Sequence, residues 1–389
     1  MLNYLRILFA YLRYEFAARS KNTVVFSGYD SLKYNFNSKY LFEYFLANAP
    51  QYKVYFIINN DVLRAELNKT VGPYFITTKR FSHLAVIFTA FTWITSGGLP
   101  IRIPYVDFRR VVVNLWHGLP FKGIGLMNGE NNFIQNLLIR FIYSRYDLVS
   151  ATSELFQQIM SRSFAVPVGK VKILGQAWND QLWNPQDKIG FLHRIYGLPF
   201  DVSSNDRLVL YAPTWRATSP TRFFPFPDFS LDRFQEFLEE QRIILCLRTH
   251  QLDCNHIEKY RSCRRILLLN EDRIPDVMSV VNNFDALISD YSGIIFDFLL
   301  LDRPIILLPY DKEEYVSTRK VNMDFSILEC TPSPQNMEDF MAQLSGIGQK
   351  SVTPRQKRLK DVCHFWQDNG SCQRHLDAIT ELINSKYRY

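Results

Sequence analysis

Two histidines occupy positions from which they could act on a bound phosphate. His117 follows the apolar run 110–115, and His250 follows the apolar run 243–247. Both runs have the length and composition of buried strands, and parallel sheets bind their ligands where strands end. Imidazole titrates near neutral pH, so the two side chains suit proton transfer. The other histidines lack this placement and are predicted to be structural: His83, His193, His256, His364 and His375.

A turn at 289–293, Ser-Asp-Tyr-Ser-Gly, links another apolar run to a helix. It follows a predicted strand at 286–288 and precedes an apolar helical stretch. Such a turn offers a phosphate free backbone N–H groups and the positive end of a helix dipole. Ser292 and Gly293 are therefore candidate phosphate-binding residues. Capping of the helix by Asp290 or Ser292 is the structural alternative.

Further polar residues also follow predicted strands. Thr214 and Arg216 come after the run 207–211, and Arg248 comes after 243–247. Arginine at a strand end can bind phosphate through charge-assisted hydrogen bonds, although a surface ion pair is an alternative role. Because turns after parallel strands face one edge of a sheet, the repetition supports a binding site more strongly than any single turn does.

These residues need a scaffold in which strands alternate with helices. Apolar runs predict strands at 23–27, 52–58, 74–76, 91–95, 110–115, 147–150, 171–174, 207–211, 243–247, 266–268, 286–288 and 305–308. Alternation at this spacing predicts an α/β fold with Rossmann-like parallel sheets. The predicted division of the chain is an amphipathic helix at 1–20, a first domain at 21–175, an inter-domain segment at 176–205, a second domain at 206–368 and a C-terminal helix at 369–389.

The predicted helix at 1–20 has an apolar stripe bordered by Arg6 and Arg13. Basic and aromatic residues around such a stripe suit a helix that lies in a membrane interface, while packing on the first domain is the alternative. No transmembrane helix is predicted, because polar residues, Gly and Pro interrupt the stretch 81–101 and charges interrupt 287–308. The stripe consists of Leu5, Leu8, Phe9, Leu12 and Phe16.

The composition and the absence of several known motifs exclude a number of functional classes. The 389-residue chain has a formal net charge of +7, which favours anionic partners or simply solubility. Six cysteines without a CxxC pair predict reduced thiols in the cytosol. The sequence has no GxGxxG, GxxxxGK[ST] or GxSxG, which argues against an NAD dehydrogenase, a P-loop ATPase and an α/β-hydrolase. Neither a metal nor a nucleic acid is predicted as a ligand, since no matching pattern is present.

Four stretches resemble, in this order, the signature segments of the CDP-glycerol glycerophosphotransferases. That family includes teichoic-acid glycerol-phosphate primases and polymerases and relatives in capsule synthesis. Weaker matches at 25–27, 37–40 and 368–371 extend the resemblance from about residue 23 to 385. The four main stretches are 116–122, 212–216, 248–250 and 289–298.

The resemblance implies a GT-B architecture, in which two Rossmann-like domains face a central cleft. It implies transfer of glycerol phosphate from CDP-glycerol to a hydroxyl of a lipid-linked saccharide or growing cell-surface polymer, with release of CMP and no cofactor. The histidines that are critical in the family correspond to His117 and His250. We expect His117 to take the proton of the acceptor hydroxyl and His250 to stabilise or protonate the leaving group.

The resemblance also assigns the remaining candidate residues and a location. Trp116, Gly118 and Lys122 would form the acceptor loop. The protein would lie peripherally on the cytoplasmic face of the bacterial cell membrane, with no prediction of its oligomeric state. Donor binding would fall to Thr214, Arg216, Arg248, Asp290, Ser292 and Gly293.

Three alternatives remain open on the sequence. The donor could be CDP-ribitol or another activated polyol or sugar phosphate. The protein could instead be a GT-B glycosyltransferase that uses a nucleotide-sugar. A membrane-associated scaffold with a degenerate GT-B fold is the non-enzymatic alternative.

Overall fold

A computed structural model shows how the predicted strands assemble. The chain forms two units, Met1–Asp180 with Phe365–Tyr389, and Gln181–His364. The residues that the structure describes are 2–14, 16–101, 109–197, 202–214, 221–248, 257–318, 322–349 and 352–387.

The first unit is built on a seven-stranded parallel sheet. Its strands are β1 (Ser20–Ser27), β2 (Lys53–Ile57), β3 (Phe75–Ile76), β4 (Ala90–Thr95), β5 (Val111–Asn114), β6 (Leu148–Ala151) and β7 (Val171–Ile173). Their order in the sheet is β3-β2-β1-β4-β5-β6-β7, and neighbouring strands run parallel. The chain first winds outward from β1 to β3 and then resumes on the other side of β1 with β4.

The second unit is built on a five-stranded parallel sheet. Its strands are β8 (Arg207–Tyr211), β9 (Ile243–Leu247), β10 (Ile266–Leu268), β11 (Ala286–Ser289) and β12 (Ile305–Leu307). Their order is β10-β9-β8-β11-β12. The winding therefore reverses between β8 and β11. Together the two sheets confirm the predicted α/β class.

Helices cover the sheets and explain why the strands are apolar on both sides. β5 and β9 are buried at every position, as expected for strands in the middle of a helix-covered parallel sheet. Helices of the first unit are α1 (Leu2–Tyr14), α2 (Phe36–Asn48), α3 (Asp61–Thr70), α4 (Phe81–Thr89), α5 (Phe133–Tyr143), α6 (Glu154–Phe164) and α13 (Ser371–Lys386). Those of the second unit are α7 (Lys188–Tyr196), α8 (Leu231–Glu240), α9 (Ile294–Leu299), α10 (Lys312–Thr318), α11 (Met337–Ser345) and α12 (Pro354–Cys363).

Alternating side chains of β1 enter two different cores of the first unit. Val24 and Phe26 pack with helices α2 and α13, whereas Val25 packs with α1 and α4. In the second unit the main core joins the strands to α8 and α11, with Phe234 and Phe340 among its buried side chains. The first sheet thus has a core on each face, and the core of the second sheet is separate from both.

The N-terminal helix is shorter than the prediction of 1–20. α1 ends at Tyr14, because Ser20 already pairs with Ala90 of the sheet. The helix packs on α4 through Ala10 and Tyr11, with the Tyr11 ring 5.9 Å from that of Phe88. The Phe9 ring also touches Phe81 at the start of α4, with the ring centroids 5.8 Å apart. The residues of the predicted apolar stripe are nevertheless exposed at every position: Leu5, Leu8, Phe9, Leu12 and Phe16.

The C-terminal helix packs on the first unit. Leu376, Ile379 and Ile383 of α13 join the core of the first sheet. The Asp180 carboxylate accepts hydrogen bonds from the backbone N–H groups of Ser371 and Cys372, at 2.8 and 2.7 Å, and so caps the start of α13. The predicted inter-domain segment 176–205 is divided, since residues up to 180 belong to the first unit and α7 to the second.

Across the described ranges, none of the helices is both long and apolar enough to cross a bilayer.

Candidate active site

His117 lies where the winding of the first sheet reverses. It follows β5, and its ring Nδ1 is 2.6 Å from the carbonyl oxygen of Ser96, the first residue after β4. β4 is hydrogen-bonded to β1, which is the point at which the strand order changes direction. Open α/β sheets bind ligands outside the carboxyl ends of their strands at this reversal point. The predicted base is therefore at the position where such a sheet places its substrate.

The hydrogen bond to Ser96 fixes the tautomer of His117. A carbonyl oxygen only accepts, so Nδ1 carries the hydrogen and the lone pair of the neutral ring is on Nε2. In the described part of the chain, Nε2 makes no hydrogen bond. The ring is thus oriented by its neighbour and offers Nε2 as a base.

Aromatic rings surround His117 and keep it uncharged. The centroid of its ring is 4.1 Å from that of Trp116, 4.8 Å from that of Tyr29 and 5.5 Å from that of Phe36. Burial lowers the pKa of His117 below 6.5, although the Ser96 carbonyl opposes this by favouring the charged ring. The imidazole is consequently neutral at physiological pH, which is the form that a general base requires.

The predicted acceptor loop is the loop that carries His117. Trp116 has a φ of 56°, and Gly118 has a φ of 130°, a region that favours glycine. The Trp116 N–H donates to the Asn114 side-chain oxygen at 2.7 Å, which tightens the turn directly after β5. Lys122 lies farther along the same loop and is half-buried. The structure therefore places the three predicted loop residues around His117 in one irregular segment.

The second unit has a corresponding site where its winding reverses. Thr214 follows β8 and Asp290 follows β11, and these two strands are neighbours. The Thr214 N–H donates to Oδ1 of Asp290 at 2.8 Å. Ser289 reinforces the connection, because its hydroxyl donates to the Ala212 carbonyl at 2.7 Å. The predicted donor-binding turns are thus joined to each other at the carboxyl edge of the sheet.

Within this turn, Asp290 and the Ser292–Gly293 pair differ in exposure. Asp290 is buried and also accepts from the Tyr291 N–H at 2.5 Å, so its described contacts hold the two loops together. Ser292 is half-buried and Gly293 is exposed, which leaves them accessible to a ligand. The residue that directly precedes α9 is Gly293, which has no side chain with which to cap the helix.

Arg248 is oriented by backbone carbonyls. Its NH1 group donates to the Leu269 carbonyl at 3.2 Å and to the Ile274 carbonyl at 2.6 Å. Burial lowers the pKa of this guanidinium, while nearby acidic groups raise it. A half-buried arginine held by one nitrogen retains further N–H groups for a phosphate. His250 and Arg216, the other predicted residues on these loops, lie outside the described residues.

A family model described as CDP-Glycerol:Poly(glycerophosphate) glycerophosphotransferase matches residues 9–381. The chain belongs to this family. It is therefore a transferase that moves glycerol phosphate from CDP-glycerol in polymer synthesis, as the resemblance of its motifs predicted.

The chain is also similar in sequence to individual teichoic acid enzymes. It is 25% identical over 376 residues to the teichoic acid glycerol-phosphate transferase of Staphylococcus aureus (strain NCTC 8325 / PS 47), covering 92% of this chain and 93% of that protein. It is 26% identical over 317 residues to the teichoic acid poly(glycerol phosphate) polymerase of Bacillus subtilis (strain 168), covering 76% of this chain but only 40% of that protein.

A solved structure confirms the predicted GT-B-like architecture. The wall teichoic acid polymerase TagF superposes with a TM-score of 0.78 at 21% identity, over 99% of this chain and 94% of that one. At this identity the similarity concerns the fold.

The sequence did not predict the roles of several residues that build the transferase site, although Asn37 lies in the weakly matching stretch 37–40. Ser96 provides the carbonyl for His117, and Asn37 donates through its amide to the Trp116 carbonyl at 3.1 Å. Gln176, after β7, accepts from the same amide at 3.2 Å. All three are buried polar residues. Ser96 and Gln176 follow strands, and that combination is the signal that could have identified them, whereas Asn37 lies in the first turn of α2. Among the described residues, no group of three or more His, Cys, Asp or Glu side chains could hold a metal ion.

Proposed function

We propose that His117 is the general base of a transferase that extends a lipid-linked saccharide or poly(glycerophosphate) chain at the cytoplasmic surface of the bacterial membrane. The observation that carries the proposal is the His117–Ser96 hydrogen bond, which leaves Nε2 as the basic nitrogen of a neutral ring. Membership of the family supplies the donor, CDP-glycerol, and the leaving group, CMP.

The proposed step is a single displacement at phosphorus. The acceptor hydroxyl oxygen attacks the phosphorus that carries glycerol, and its proton passes to Nε2 of His117. The P–O bond to the CMP phosphate breaks, and CMP leaves with the bonding electron pair. A positioned general base accelerates such a reaction by about 10²- to 10⁴-fold. Protonated His117 would be stabilised by the bond from Nδ1 to Ser96, because hydrogen bonds strengthen when the donor is charged.

Donor binding is proposed for the turns where the winding of the second sheet reverses. Ser292 and Gly293 would contact the diphosphate, supported by Thr214 and by the free N–H groups of Arg248. Asp290 would act by holding these turns together. His250 and Arg216 are proposed to complete this group through their motif positions, His250 at the leaving phosphate.

Membrane attachment is proposed through two exposed apolar helix faces of the first unit. α5 has no buried residue, and it exposes Phe133, Ile134, Leu137, Leu138, Phe141 and Ile142 by 37–81%. A capping box between Asn132 and Gln135 stabilises its start. Arg140 lies in its last turn. Apolar faces with basic residues suit an anionic lipid surface, and the net charge of +7 adds long-range attraction.

α1 provides the second face. The helix is anchored to α4 by Tyr11 and Tyr14. Leu5, Leu8 and Leu12 are exposed, as is most of Phe9, whose ring also touches Phe81 of α4 with the centroids 5.8 Å apart. Arg13 lies in the last turn, as expected for a helix at an anionic interface. Packing on the domain and lipid contact are therefore compatible, because they use different sides of α1.

Donor specificity is tested by offering CDP-glycerol, CDP-ribitol and nucleotide-sugars with a glycerol-phosphate-primed lipid acceptor. We expect CMP release from CDP-glycerol and a product heavier by one or more glycerol phosphate groups. Release of CMP from CDP-ribitol, and not from CDP-glycerol, would show that the donor is CDP-ribitol. Release of UDP or GDP from a nucleotide-sugar would replace it with glycosyl transfer. Acceptors of capsule type in the same assay would identify the polymer.

Membrane attachment is tested with vesicles. The full chain should sediment with vesicles that contain anionic phospholipid, and rising salt should weaken the binding, because its electrostatic part is screened. Failure to bind anionic vesicles at low salt would contradict the proposed location.

A further inference from the structure

The backbone around His117 is strained at two residues that contact its ring. Phe36, the first residue of α2, has a φ of 63°, and Trp116 has a φ of 56°. Residues other than glycine rarely adopt a positive φ of this size. Such backbone conformations persist where surrounding contacts fix them, often at functional sites. Both rings lie against the imidazole of His117. Contacts with neighbouring residues must therefore hold Phe36 and Trp116 in these conformations.

Asn37, which is buried in the first turn of α2 directly after Phe36, supports the backbone at Trp116. Its Nδ2 group donates to the Trp116 carbonyl at 3.1 Å and to Oε1 of Gln176 at 3.2 Å. Its Oδ1 accepts a hydrogen bond from the backbone N–H of Trp178 at 3.1 Å. One amide thus uses both its hydrogens and its oxygen to join α2 to the loop that carries His117 and to the segment after β7.

Ser38 fixes the other side of the imidazole. Its backbone N–H donates to the Ser96 hydroxyl at 2.9 Å, and the two hydroxyl groups are 3.0 Å apart. Ser96 is the residue whose carbonyl accepts from Nδ1 of His117. The first turn of α2 therefore determines the position of the peptide before His117 and of the carbonyl that orients its ring.

From these contacts we infer that the first turn of α2, with Asn37 at its centre, is the positioning element for His117. Asn37 is a positioning residue: it directs Nε2 toward the acceptor hydroxyl by holding the Trp116 peptide and never touches the substrate itself. The inference rests on the proposed role of His117 as the base. A displacement of about 1 Å in a reacting group can cost about a hundredfold in rate, so loss of this support should reduce turnover rather than donor binding.

The test replaces Asn37 by its isostere. Asn37→Asp keeps the oxygen that accepts from Trp178 but removes both N–H donors and places a carboxylate opposite two acceptor oxygens. We expect kcat for CMP release to fall by about 10- to 100-fold, with KM for CDP-glycerol changed by less than about twofold. Asn68→Asp is the matched control, because Asn68 also uses both ends of its amide, on the Phe75 backbone at 3.1 and 3.0 Å, away from His117. Its kcat should equal that of the native chain.

Two further measurements keep the inference testable if Asn37→Asp folds poorly. Ser38→Ala removes only one hydroxyl contact and should also lower kcat, by a smaller factor. The ¹⁵N NMR signals of His117 should show protonation at Nδ1 in the native chain and loss of this single tautomer in Asn37→Asp, or in Ser38→Ala where Asn37→Asp does not fold. Equal kcat values for Asn37→Asp and Asn68→Asp would overturn the inference. A native kcat together with an unchanged His117 tautomer in Ser38→Ala would also overturn it. If the native chain releases no CMP from CDP-glycerol, the proposed function fails, and the tautomer signal alone then decides the positioning role.

Discussion

The exposed face of α5 gives a prediction whose size can be worked out from the structure. The change is the pair Phe133→Ser and Ile134→Ser, at side chains that are 81% and 67% exposed. Full transfer of such a side chain from water to an apolar environment is worth about 2 kcal/mol. Scaled by the exposed fractions, the pair contributes about 3 kcal/mol, or roughly a hundredfold in the partition constant. Because α5 has no buried residue, the folded state should be little affected.

The assay is co-sedimentation with vesicles containing anionic phospholipid, over a series of lipid concentrations. Val62→Ser on α3 is the matched control, since Val62 is also exposed, by 79%, but lies on a helix with an acidic first turn. We expect the α5 pair to lose about two orders of magnitude in binding and the control to bind as the native chain does. Equal binding by the three proteins would refute the reasoning that α5 enters the lipid interface.

Two further predictions concern histidines. Because the neutral form of His117 is the active base and burial lowers its pKa, kcat/KM should stay high below pH 6.5 and fall only at lower pH; an acidic limb centred above 6.5 would contradict this. Burial lowers the pKa of His364, in the second unit, and of His375, in the first, to about 4. Their unfolded forms bind protons first, so stability is present above pH 6.5 and is lost as pH falls toward 4, by about 2 kcal/mol per histidine at pH 5. Urea unfolding at pH 7.5 and pH 5 should show this loss, and pH-independent midpoints would disprove it.

The strands could be predicted because a parallel sheet covered on both faces requires uninterrupted apolar runs. The predicted strand 207–211 matches β8 residue for residue, and 243–247 matches β9. The positions of His117, Thr214 and Asp290 at strand ends followed from the same runs. Rules for parallel strands then place these residues at one edge of each sheet.

Contacts between distant residues were not predictable from periodicity. Asn37 and Trp116 are 79 positions apart, so no local pattern reveals that one supports the other. The side of α1 that packs was also undetermined, because both sides carry large apolar or aromatic residues. Only the neighbouring α4 selects Tyr11 and Tyr14 and leaves the leucine-rich stripe exposed. The place of α13 on the first sheet likewise depends on long-range packing.

The most direct test of the account is the rate of CMP release from CDP-glycerol by His117→Asn. The asparagine amide can still donate to the Ser96 carbonyl in place of Nδ1, while the basic Nε2 is removed. His83→Asn is the control, because the Asn oxygen can replace Nδ1 of His83 as acceptor for the Thr77 N–H. With a primed lipid acceptor, the account predicts that kcat falls by about 10²- to 10⁴-fold in His117→Asn and stays native in His83→Asn. Near-native turnover by folded His117→Asn would contradict the assignment of His117 as the base.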